Sequence, residues 1–82
     1  MRFTMLENFQ PQPGSQVVIV NNTPFTLVQS EEGEPWNIVR HDTVLGYLYR
    51  NDAGAWAVWP LYDGCTYIPS APTPGEALRR AL

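Results

Sequence analysis

The sequence predicts a mainly β domain: a five- or six-stranded antiparallel meander or small open barrel, with a short C-terminal α-helix. Three observations predict it. β-branched and aromatic runs recur at short intervals, divided by Asn, Asp and Gly turn residues. The stretch from Gly46 to Ile68 reads strand, turn, strand, turn, strand, and it holds two of the three tryptophans and four tyrosines. Near the C-terminus, Thr73-Pro74-Gly75-Glu76 supplies an N-cap, a first-position proline and an early acidic residue.

Taken in order, residues 1–14 are a lead-in. Thr4 to Glu7 fits a capping box, with Met5, Leu6 and Phe9 on one helical face. A short strand with Phe3 and Met5 on one face is the alternative. Gln10-Pro11-Gln12-Pro13-Gly14 ends either element. The sheet is expected over residues 16–68. Gln16 to Val20 is its first strand, and Asn21-Asn22 suits a tight turn because Asn tolerates positive φ. Thr23 to Gln29 returns, with Pro24 requiring an edge or the first residues of a strand. Ser30 to Pro35 is an acidic loop. Trp36 to His41 is the third strand, turned by Asp42-Thr43. Val44 to Arg50, Ala55 to Pro60 and Cys65 to Ile68 complete the set. The connectors ending in Gly54 and Gly64 fit type I turns closed by a left-handed residue. Residues 69–73 read as a stiff Pro-rich linker, and residues 74–82 as the helix. Its apolar face is Ala77, Leu78, Ala81 and Leu82, with Arg79 and Arg80 pointing away.

Pairing Arg50 with Ala55 sets Tyr49 opposite Trp56 and Tyr47 opposite Val58, and Leu45 joins them on one aromatic face. Leu48, Ala57, Trp59 and Arg50 then share the other. A slip of one residue exchanges the two sets. Both faces are apolar, which three arrangements accommodate: a curled barrel, a dimer, or an aromatic surface kept for a partner.

Composition narrows the function. The chain has 82 residues, a formal net charge of −3 and no lysine; its five cations are Arg2, Arg40, Arg50, Arg79 and Arg80. An acidic balance of this kind argues against non-specific polyanion binding. The single cysteine, Cys65, allows no internal disulfide. With no signal peptide and no long apolar run, the expectation is a cytoplasmic protein without a membrane partner.

Catalytic chemistry finds little support. His41 is the only histidine, and on a strand its neighbour Asp42 points to the opposite face. Cys65 reads as a small core residue, a Cys65–His41 nucleophile pair being the alternative. No ligand spacing points to a metal, and no phosphate loop or dinucleotide turn points to a cofactor.

From Val44 to Leu82 the order is Gly46-x-Leu48-x-Arg50, a turn with Gly54, then Trp56, a second turn with Gly64, a strand, and Thr73-x-x-Glu76-Ala77. This order resembles the arm-type DNA-binding domain at the start of some tyrosine recombinases. The resemblance covers about half the chain. It implies three antiparallel strands and a C-terminal helix, with the sheet entering the major groove. The sheet of that family is rich in Lys and Arg, whereas this one offers Arg50 and little else.

The resulting expectation is a small non-enzymatic protein-binding module, of the kind that phages and mobile elements encode to modulate a host protein. Its expected contacts are the aromatics Tyr47, Tyr49, Trp59 and Tyr62 with the acidic loop residues Glu31, Glu32 and Glu34. Another protein is the expected partner, and a homodimer is compatible. The alternative is sheet-mediated DNA binding through Arg40 and Arg50.

Overall fold

The structure is a computed structural model and describes residues 6–82. The capping box begun by Thr4, and the alternative strand through Phe3 and Met5, fall outside the described residues. A single 3-10 turn, Leu6–Asn8, opens the described chain. Six strands follow: β1 (Gly14–Val20), β2 (Thr23–Gln29), β3 (Trp36–Arg40), β4 (Thr43–Arg50), β5 (Trp56–Pro60) and β6 (Ile68–Ala71). The helix α1 spans Pro74–Ala81. Each strand pairs antiparallel with its chain neighbours, so the sheet is an open meander in the order β1 to β6.

Turn chemistry fixes the registers. Asn21 and Asn22 have φ of 51° and 64°, and Val20 pairs with Thr23 across them. This is the two-residue turn whose twist matches that of the strands. The paired bonds of Val20 and Thr23 turn the nitrogen of Pro24 away from β1. On that side β2 pairs with β3 only from Thr26 to Val28, so the proline forfeits no ladder bond. The same turn recurs between β3 and β4, at His41 and Asp42, with φ of 51° and 60°. The sequence placed it one residue later, at Asp42-Thr43. Both central residues of this turn need positive φ, which His and Asp adopt far more readily than β-branched Thr43. His41 and Asp42 are therefore turn residues, not strand neighbours.

The β4–β5 hairpin carries the main correction. Asn51 N–H donates to Ala55 O at 2.8 Å, and Gly54 N–H donates to Asn51 O at 2.9 Å. The side chain of Asn51 accepts from the backbone N–H of Ala53 and Ala55, each at 3.0 Å. The loop thus has three residues closed by Gly54 at φ 82°, and Asn51 rather than Arg50 faces Ala55. Arg50 pairs with Trp56, Leu48 with Val58, and Tyr47 with Trp59. This is the one-residue slip: Tyr47 and Tyr49 still oppose Leu48 and Arg50 on β4, but the β5 residues exchange, Trp59 joining the tyrosines and Trp56 and Val58 joining Leu48. A bulge between β3 and β4 pairs Ile38 with Gly46 and Val39 with Val44. The extra residue, Leu45, turns onto the core beside Gly46 instead of joining the tyrosines.

The last strand is also displaced. Residues 69–73 are not all linker: β6 runs through Pro69 to Ala71, while Cys65 lies in the preceding loop. As an edge strand, β6 pairs only with β5 and tolerates a proline.

One face of the sheet carries the core. Leu27, Ile38, Leu48, Val58 and Leu78 are fully buried, with Phe9, Val18, Val20 and Phe25 around them. The helix lies over β4, β5, β6 and the 3-10 turn. Thr73 Oγ1 caps it, accepting from Glu76 N–H at 3.1 Å. The Glu76 carboxylate turns forward to Arg79 and Arg80 instead of back to Thr73, with Arg80 Nε donating to Oε1 at 2.9 Å. Loss of solvation raises the Glu76 pKa, and the hydrogen bonds and charges of the two arginines outweigh it and lower it. Thr73→Ala is expected to cost about 1 kcal/mol of stability, read as a lowered urea midpoint at unchanged slope.

Candidate functional site

The sheet face opposite the helix is the candidate site. The register sends Val17, Thr26, Val39 and Val44 to it in one row. The next row holds Ser15, Val28, Asn37, Tyr47 and Trp59. Tyr49 and Ile19 extend it at either end. Among the described residues, no element lies over this face: the helix and the 3-10 turn are both on the other. Val17 is 66% exposed, Trp59 53% and Ile19 49%, against 0% for Leu48 and Val58 on the covered side. Tyr67 joins from the β5–β6 loop, its ring edge-on to Trp59 with centroids 5.4 Å apart.

No strand position of this face carries an Asp, Glu, Lys or Arg. The charged side chains described lie in the turns, on the helix, or at the ends of the covered face. The open side of an antiparallel sheet is ordinarily polar, and a contiguous apolar one marks an interaction surface.

The expected contact set is only partly gathered. Tyr47, Tyr49 and Trp59 are on strands of this face. Tyr62 is 61% exposed but lies in the β5–β6 loop, tied through its N–H to Leu45 O at 3.3 Å. Glu31, Glu32 and Glu34 are exposed in the β2–β3 turn at one end of the sheet. Buried Gln29 fixes that turn, its Nε2 donating to Glu34 O at 2.8 Å. The sequence reading left out Val17, Ile19, Val28, Val39, Asn37 and Tyr67. The run Val17-Val18-Ile19-Val20, apolar at every position, was the available signal that β1 presents greasy side chains to both sides.

Arg40 and Arg50 do not form a patch. Both lie on the helix-bearing face: Arg40 ends β3 opposite Thr43 at the start of β4, and Arg50 ends β4, about 24 Å away along that strand. Arg40 sits over Phe25, its Cζ 5.7 Å from the ring centroid, and Arg50 over Trp56, also at 5.7 Å. Arg50 Nε also donates to Gly54 O at 3.1 Å. Beside it a groove of about 540 Å³ is lined by Trp36, Trp56, Tyr49, Glu32, Glu34 and lead-in prolines. The two indoles meet at 5.9 Å and 53°, and Trp36 Nε1 donates to Gln12 O at 2.9 Å. The lead-in thus occupies the polar edge of that indole.

Cys65 is buried, and burial pushes its thiol pKa up, the reverse of nucleophile activation. Among the described residues, no three His, Cys, Asp or Glu side chains gather as a metal site. Among them, too, no helix is long and apolar enough to cross a membrane. No protein-family model, curated protein or solved structure matches this chain.

Proposed function

We propose that this is a non-enzymatic protein-binding module whose contact surface is the open face of the sheet. The observation that supports it is the absence of charge across the strands of that face, combined with exposed Trp59, Tyr67, Val17 and Ile19. Burying such a surface releases about 25 cal/mol per Å² of apolar area. Its aromatic residues match the Trp- and Tyr-rich make-up of interface hot spots. The DNA-binding alternative draws less from the geometry, because Arg40 and Arg50 are far apart, stacked on rings, and on the other face.

The test uses a photo-crosslinking residue at Tyr47, on the open face, and at Arg79, on the outer side of the helix. Protein adducts are expected from position 47 and not from position 79. Equal yields at the two positions, or none at 47, contradict the reading.

A further inference from the structure

We infer that the partner of the open sheet face is a second copy of this chain, the two sheets stacking face to face about a two-fold axis. This rests on the reading of that face as a protein contact, and three features select the occupant.

The first is area. Six strands about 4.8 Å apart and about five residues long, at about 3.4 Å per residue, project about 500 Å². Two such faces remove about 1,000 Å² before side-chain relief is added, which meets the minimum of about 1,000 Å² for a biological contact, at the small end suited to a micromolar dimer.

The second is charge. The chain carries −3 overall, yet among the described residues no charged one stands on the strands of this face. Two copies therefore meet there without like charges opposed, and a basic partner finds nothing on it to pair with. The complement of a broad uncharged sheet is another sheet of the same twist, which stacks at about −30° and about 10 Å.

The third is Asn37. It pairs with Val28 on one side and Tyr47 on the other, placing it mid-face on the third of six strands. Its amide takes no part in the side-chain hydrogen bonds among the described residues. In an isologous contact, the residue nearest the axis meets its own copy. An amide carries a donor and an acceptor together, so two Asn37 side chains can bond reciprocally. Val17 and Ile19 at one end of the face then meet apolar neighbours rather than water.

Sedimentation equilibrium of the whole chain between about 1 and about 200 µM, a span covering micromolar affinities, tests this. A dimer is expected. Asn37→Asp, nearly isosteric and half-exposed in the monomer, is expected to weaken it at least about tenfold at pH 7, because two carboxylates then oppose each other across the axis. At pH 3, below the ordinary aspartate value of about 3.9, the loss relative to the native chain is expected to shrink to about twofold. Circular dichroism shows whether each variant keeps the native sheet, and Trp59→Ala, at the side of the face, is the second variant. A dimer insensitive to both changes overturns the assignment of this surface. A native chain that stays monomeric overturns the self-pairing. In that case, crosslinks from position 47 to a different protein leave the protein-contact reading standing, and their absence removes both.

Discussion

Replacing Gly46 with alanine is expected to destabilise the protein by about 3 kcal/mol. A Cβ at this position would stand 2.6 Å from Trp59 O, 2.9 Å from Cys65 Sγ and 3.3 Å from Pro60 Cα. Two of those three contacts are backbone of the adjoining strand, which cannot move without breaking the β4–β5 ladder. The residue sits at the β3–β4 bulge, where β4 bends under the β5–β6 loop. Adding Cys65→Ala is expected to recover only part of the loss, since the nearest obstacle is a carbonyl and not the thiol. An 82-residue domain commands only about 4–12 kcal/mol in all. Thermal unfolding reads the effect directly, as a midpoint lowered by about 15 °C. A change of under about 3 °C would show that β4 and β5 are not in this close approach.

Leu48→Ala is expected to cost a similar amount, about 3 kcal/mol, by a different route. Leu48 is fully buried at the middle of the sheet, cross-strand from Trp36 and Val58 and within the cluster that includes helix residues Ala77 and Leu78. Truncation removes its transfer free energy and leaves a cavity that sheet and helix cannot both close around. Tyr47→Ala, one residue earlier and on the open face, is expected to cost less than half as much in the isolated monomer. Paired urea titrations measure the contrast. A larger cost for Tyr47→Ala than for Leu48→Ala would instead place the tyrosine face of β4 in the core and contradict the fold.

That contrast marks where the sequence was legible. Element types and their order were readable because each boundary carries local chemistry: Asn21-Asn22, Gly54 and Thr73-Pro74 each satisfy a backbone requirement within a few residues. The start of the helix needed no tertiary information. The register of β4 against β5 did, since Asn51 closes the hairpin with its own side chain and adds one pair to the ladder. That amide contact is not visible in a pattern of apolar residues, and one added pair exchanges which β5 residues share a face with the tyrosines. β6 was misplaced for a related reason. Pro69 argues against a strand in general, but an edge strand has a free side to which the missing N–H can point. The site was half legible. Its aromatics stood out, whereas the contribution of β1 and β2, and the lack of charge across the strands, emerge only once the register is known. The acidic loop drew notice by composition, and the fold keeps it at the sheet's end rather than with the tyrosines.

Whether Trp59 joins the tyrosines on the open face follows from which residues of β4 and β5 stand opposite each other. Leu48 and Val58 form a non-hydrogen-bonded pair, in which opposed Cα atoms come within about 4.5 Å. A strong nuclear Overhauser effect between their Hα protons is therefore expected, and it places Trp59 with Tyr47 and Tyr49 on the face opposite Leu48 and Val58, which pack in the core with the helix. A strong Hα–Hα effect between Tyr47 and Val58 instead would move Val58 onto the face of the tyrosines and Trp59 onto that of Leu48, and the surface built from this register would be lost.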